Sequence, residues 1–208
     1  MTRALAAVGR SLRIAAEGDV VATIITHLAI AKRYLENNPG FVDDVKSFYD
    51  GNILPDLAPD KEVSHYGNRQ LVDGDIVARN VNKIGIKKFL KENPLDSDLN
   101  KGRLLHLYTD LEYYKTLIPN DYVKTLTWNE YRKDIIYTWW LDKQKSHDKY
   151  AGLFDKTSYA GELKDMYRRF HESDANEFQN NPATALYTEA ELEQFIERIA
   201  KVDLFSIN

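Results

Sequence analysis

Residues 97–117 read SDLNKGRLLHLYTDLEYYKTL, and their periodicity decides the fold class. Ser97 or Asp98 can cap a helix that runs from Leu99 to about Leu117 and stops ahead of Pro119. Within it His106 and Asp110 stand four residues apart, which places both side chains on one helix face. Leu104, Leu105, Leu107 and Leu111 surround them, so this stretch is expected to be buried. A buried imidazole and carboxylate need partners, or they cost several kcal/mol. A divalent cation is one such partner, and a plain His–Asp hydrogen bond is another.

The same helical period recurs on both sides. Residues 23–36 place Ile24, Leu28, Ala31 and Leu35 on one face, and Asn37-Asn38-Pro39-Gly40 stops them. Pro39 is expected to open the next helix through Phe41, Val45 and Phe48. Residues 51–61 contain Pro55 and Pro59 and read as irregular, or as short helical turns at most. Asp73-Gly74-Asp75 reads as a turn. Residues 84–92 form a short helix ended by Asn93-Pro94. Thr127-x-x-Glu130 and Thr188-x-x-Glu191 are capping boxes opening two later helices, and residues 161–178 read as another. No period-two strand stands out, so the fold class is all-α, a single-domain bundle of about seven helices.

Composition narrows the function classes. The chain has 208 residues, 43% hydrophobic and 29% charged, as an ordinary globular protein does. Its net charge of −4 argues against non-specific nucleic-acid binding. The absence of cysteine excludes disulfide scaffolds, thiol nucleophiles, Cys-based zinc fingers and iron–sulfur clusters. The most apolar run, residues 20–31, spans about a dozen residues and contains His27, short of the roughly 20 a bilayer span needs. Arg3, Arg10 and Arg13 are interspersed through the start rather than preceding an apolar segment, unlike a secretory signal. The expected organisation is an N-terminal extension over 1–21, loosely attached or helical, and an all-α metal-binding domain over 22–208. Cytoplasmic location is the default.

Further candidates accompany His106 and Asp110. His27 lies on the apolar helix and should point inward, where a satisfied core histidine is the usual explanation. Asp56 follows Pro55 in an apolar, proline-bounded stretch, and a cap or Asx-turn would also account for it. His65 follows nine residues later. Asp60 and Lys61 read as solvated charges or an internal ion pair. Taken together, His27, Asp56, His65, His106 and Asp110 are three imidazoles and two carboxylates from separate segments. Such an all-N/O set suits zinc, and also iron or manganese. Four ligands close one tetrahedral site, and five with a bridging carboxylate can hold two ions.

The order Thr26-His27, Gly51-Asn52-Ile53-x-Pro55-Asp56, Lys61-x-x-Ser64-His65 and His106-x-x-x-Asp110 resembles the zinc-dependent phospholipase C family. That family shares a superfamily with the P1-type nucleases, and the likeness is to its shorter members, over roughly residues 22–115. The resemblance implies an all-α fold of the phospholipase C / P1 nuclease type with a polar cleft holding a metal cluster. It implies that Asp56, His65, His106 and Asp110 bind one ion, and that His27 and a bridging Asp110 hold a second. The family completes that second site with a mature N-terminal residue, whereas this chain starts well upstream of His27. A third site would need a His-x-x-x-Glu step, but Ala151 follows His147 and Ala175 follows His171 at that spacing.

The implied activity is hydrolysis of phosphate esters, with phospholipid among the candidate substrates. One or two zinc ions would lower the pKa of a bound water toward neutrality for attack on phosphorus. Asp56 is the candidate base besides being a ligand. Arg103, one turn before His106, Arg69 and Lys61 are candidate phosphate contacts, and each also reads as a plain surface cation. Two alternatives stand beside this one. The ion can be structural, in a non-catalytic binding protein of the same family. An HD-type phosphohydrolase would need an adjacent His-Asp pair, and His147-Asp148 lies in a polar run. Of the paired Trp139 and Trp140, one is expected at an interface or a cleft rim, since neighbours on a helix cannot both face one core.

Overall fold

The computed structural model describes residues 22–67, 80–81, 83–174 and 183–207, with the side chains of 143–148 and 170–174 outside that description. The N-terminal extension, Arg69, the Asp73-Gly74-Asp75 turn and the side chains of His147, Asp148 and His171 therefore lie outside the described residues.

The described chain is helical. In order it forms α1 (Ile24–Asn37), α2 (Val45–Leu57), α3 (Lys61–His65), α4 (Ile86–Glu92), α5 (Asp98–Glu112), α6 (Asn120–Val123), α7 (Trp128–Tyr150), α8 (Ala160–Asp174) and α9 (Glu189–Ile199). Among the described residues the only β-type pairing is an isolated bridge between Tyr66 and Ile84. None of the helices described is long and apolar enough to cross a membrane.

Local chemistry sets the helix ends. Thr23, Asp44, Asp60, Ser97 and Thr188 each accept a backbone N–H of the first turn they precede. Both expected capping boxes form: Thr127 with Glu130, and Thr188 with Glu191. The helix expected to begin at Pro39 begins instead at Val45. Gly40 turns in the left-handed region at φ 78°, and the Asp44 carboxylate caps Ser47. The helix expected as far as Leu117 is α-helical to Glu112 and then continues as one wider, π-type turn over Tyr113–Leu117.

A larger difference falls at Pro55, which lies inside α2 rather than in an irregular segment. The cause is a long-range contact. The backbones of α2 and α5 touch at two glycines: a Cβ on Gly51 would lie 2.0 Å from the Leu99 carbonyl oxygen. A Cβ on Gly102 would lie 2.2 Å from that of Phe48. Asn52 also donates from its side chain to the Gly102 carbonyl. This tight pairing carries α2 past the single hydrogen bond that proline removes.

Helix α1 runs through the middle. From Ile25 to Ala31 every residue is buried, so there is no polar face for His27 to occupy. It packs on α2, α5, α7 and α9. Trp139 and Trp140 are both half-buried: Trp139 donates to the Tyr113 hydroxyl, and Trp140 stacks on Tyr137.

Candidate metal centre

The α2–α5 pairing places Asn52 beside His106, with Asp56 one turn further along. His106 Nδ1 lies 2.8 Å from the Asn52 carbonyl oxygen. A carbonyl only accepts, so Nδ1 carries the proton and Nε2 bears a lone pair in the neutral ring. His65, the last residue of α3, is set the same way: Nδ1 lies 3.0 Å from the Lys61 carbonyl oxygen. The two Nε2 atoms then face each other at 3.2 Å. Two lone pairs at that distance repel unless they share a cation.

Asp110 and Asp56 complete the surroundings. Asp110 Oδ2 lies 3.1 Å from His106 Nε2 and 3.2 Å from His65 Nε2. Its other oxygen, Oδ1, lies 3.1 Å from His27 Nε2. Asp56 spans the same two positions, with Oδ1 4.0 Å from His65 Nε2 and Oδ2 3.7 Å from His27 Nε2. His27 stacks on His106 with ring centroids 3.9 Å apart. All five residues named from the sequence as ligands are thus brought together, from α1, α2, α3 and α5. His27, His106 and Asp110 have no solvent exposure.

Close approach here does not mean hydrogen bonding. Among the described residues, neither ring nitrogen of His27 and neither oxygen of Asp110 has a hydrogen-bond partner of acceptable geometry. Buried polar atoms are otherwise nearly always paired. The separations fit a different partner. Donors held about 2.0–2.1 Å from a tetrahedral ion lie about 3.3 Å from one another. His27, His106 and Asp110 form one group able to hold a metal ion, and Asp56, His65 and His106 form another.

The electrostatics agree with ionised carboxylates and a neutral His106 ring. Burial alone would raise the Asp110 carboxyl, but the His106 and His27 rings beside it bring it well below the usual carboxylate range. Burial would likewise raise Asp56, and Lys61, His106 and His27 more than reverse it. His106 is pushed down, first by burial and then by His27.

Arg103 is not part of this assembly. Its guanidinium donates to the Tyr66 hydroxyl at 2.7 Å and to Asn93 at 3.1 Å, between the rings of Tyr66 and Phe89. It holds the side chain of Tyr66, a non-glycine residue at φ 60° directly after His65. The cation that does touch the centre is Lys61. Its ammonium donates to Asp56 Oδ1 at 2.6 Å and to the Asp56 carbonyl at 2.8 Å. Asp60 instead caps α3. The sequence reading offered Lys61 as a solvated charge, an internal ion pair or a phosphate contact; the ion pair forms, with Asp56 as the partner it did not name, and the orienting carbonyl of Asn52 was missed. The five-residue step from Asp56 to Lys61 was the available signal, but it acquires meaning only once α3 folds back on α2.

The chain matches no family model, no curated protein and no solved structure.

Proposed function

We propose that this chain is a zinc-dependent hydrolase of phosphate esters, of the phospholipase C / P1 nuclease type. One observation carries the metal reading: fully buried His27 and Asp110 present nitrogen and oxygen atoms without hydrogen-bond partners to a space shared with His65, His106 and Asp56. A bound divalent ion supplies Lewis acidity at a phosphoryl oxygen and acidifies water. The chain's own groups do the rest. His65, His106, Asp56 and Asp110 would hold one ion, and His27 with Asp110 would hold a second. The Asn52 and Lys61 carbonyls keep the two imidazoles in the tautomer that ligation needs. Substrate approaches from the side of Lys61, Asp56 and His65, whose side chains are 19%, 7% and 5% exposed. Asp56 serves there as a ligand rather than as the base, because Lys61 holds Oδ1 and the carboxyl is depressed. Phospholipid remains one candidate among phosphate esters.

The test is metal content of protein purified without chelator or histidine tag, followed by turnover of bis(p-nitrophenyl) phosphate. Wild type is expected to carry zinc and to hydrolyse the diester, and His106→Ala and Asp56→Ala to lose both. Protein that stays metal-free after reconstitution overturns the reading. The complete burial of three ligands favours one competing reading, an ion that only holds the fold together. Under that reading metal is bound, no phosphodiester is turned over, and chelation unfolds the chain.

A further inference from the structure

We propose that Ser64 is a positioning residue of the metal centre: its hydroxyl accepts the Nδ1 proton of His65 and ties that ring to the end of α2, which carries Asp56. The proposal rests on the metal reading above and adds a residue that itself ligates nothing. The last carbonyls of a helix have no partner within it. At the end of α2 the Leu54 carbonyl accepts the Ala58 N–H, and side chains of α3 serve the next two. The Ser64 hydroxyl donates to the Pro55 carbonyl at 2.9 Å, and the Lys61 ammonium to the Asp56 carbonyl at 2.8 Å. The short helix that ends in His65 is thereby fastened to the turn that presents Asp56.

His65 and His106 are not held alike. His106 Nδ1 meets one oxygen, the Asn52 carbonyl, which only accepts. His65 Nδ1 meets two, the Ser64 hydroxyl at 2.9 Å and the Lys61 carbonyl at 3.0 Å. A hydroxyl can donate as well as accept. Pointed at Nδ1, the Ser64 proton would oblige the ring to carry its own proton on Nε2, the nitrogen that lies 3.2 Å from Asp110 Oδ2 and 3.2 Å from His106 Nε2. Ser64 has a single proton, and the Pro55 carbonyl at 2.9 Å receives it in preference to the Lys61 carbonyl at 3.3 Å. The hydroxyl oxygen is then left to accept from His65. The bonds run one way, from His65 through Ser64 to Pro55, and each polarises the next. A partner on the far nitrogen fixes the ring of a ligating histidine and raises the basicity of the nitrogen that binds the ion.

Zinc affinity of the full chain, measured by competition with a chromophoric chelator, tests this. Ser64→Ala leaves His65 Nδ1 with the Lys61 carbonyl alone and is expected to weaken zinc binding roughly 10–100-fold. Ser64→Thr keeps the hydroxyl and is expected to bind as wild type does. A hydroxyl that only closed the end of α2 would act on metal-free and zinc-loaded protein alike. A Ser64→Ala protein with Tm lowered equally in both forms and an unchanged Kd therefore overturns the proposal and leaves the metal centre intact. Nitrogen-15 NMR of the His65 ring in metal-free wild type decides even if the alanine variant fails to fold. The proton is expected on Nδ1, and a proton on Nε2 overturns the proposal. No zinc on wild type overturns the metal reading and the role of Ser64 together.

Discussion

Asp110 and Asp134 are both buried, both lie within helices, and both have a polar residue four positions away on the same helix, yet their surroundings are opposite. Asp134, on α7, is fully served: Oδ1 accepts the Thr184 backbone N–H at 3.0 Å and Oδ2 accepts the Tyr122 hydroxyl at 2.9 Å. One turn on, Thr138 donates to the Asp134 carbonyl and accepts the Leu186 N–H. A further turn on, Asp142 accepts the Tyr187 hydroxyl, which also bonds Tyr113. This ladder is complete and holds residues 184–187 against α7. Around Asp110 the neighbours are imidazole nitrogens, three of them within 3.2 Å, and none hydrogen-bonds to it with acceptable geometry. A carboxylate whose partners are hydrogen-bond donors supports structure. One whose partners present lone pairs needs a cation.

Chelation should separate the two regions most widely. An ion present at a thousand times its Kd stabilises the fold by about 4 kcal/mol. For a chain of this size that is a fall in Tm of roughly 8–16 °C on adding chelator. Asp110→Ala is expected to abolish the chelator response, and Asp134→Ala to keep it. A calorimetric scan in which both variants respond alike would break the comparison.

Asp134→Ala itself should destabilise by about 1–3 kcal/mol, because it removes two hydrogen bonds to a charged acceptor, from the Thr184 N–H and the Tyr122 hydroxyl. Its zinc content should remain that of wild type. Denaturant titration together with metal analysis checks both halves of the expectation. Loss of metal in this variant would mean that the ladder and the centre are one coupled unit.

Titration with pH sharpens the contrast, since the two regions fail at opposite ends. His106 is held below its ordinary value of 6.5 by burial, with His27 adding to the shift. Below about pH 6.5 the unfolded chain takes a proton that the folded chain refuses, so stability falls as the pH falls. The slope is about 1.4 kcal/mol per pH unit while one proton separates the states. Asp56 and Asp110, depressed below 3.8, contribute stability that is present above that value and lost as the pH drops through their folded values. In the ladder, burial pushes the Tyr113 and Tyr187 hydroxyls well above 10.0. Their contribution is complete below pH 10 and declines as the pH rises further, because the unfolded chain releases those protons first. Tm measured from pH 4 to 11 should show both limbs. Tyr187→Phe should soften only the alkaline one.

These regions were not equally legible in the sequence. The helical class rests on local signals, the 3.6-residue period of α1 and the capping boxes at Thr127 and Thr188, and local signals survive into the structure. His106 and Asp110 could be paired from spacing alone because both sit on one helix. The course of α2 through Pro55 could not, since it depends on Gly51 meeting Leu99 and Gly102 meeting Phe48, about fifty residues away. The partners of Arg103 were not legible for a related reason. Its helix face was read correctly, but its long side chain turns to Tyr66, a residue whose left-handed backbone no local pattern announces. Nothing in the sequence marked Asp134 and Asp142 as buried either, because their partners arrive from the segment around Leu186, some fifty residues on.

The smallest effect comes from the edge of the ladder. Tyr187, which bonds Asp142, is followed at once by Thr188, the cap of α9. The Thr188 hydroxyl accepts the Glu191 N–H, and the Glu191 carboxylate accepts the Thr188 N–H in return. Thr188→Ala removes the first of these and should destabilise by about 1 kcal/mol, whereas Thr188→Ser keeps the accepting oxygen and should stay close to wild type. The chelator response should be unchanged in both, since α9 meets α1 through its buried apolar residues and the Arg33–Glu197 ion pair and supplies nothing to the centre. A Thr188→Ala protein with weakened zinc binding would show instead that α9 sets the position of α1, and through it that of His27.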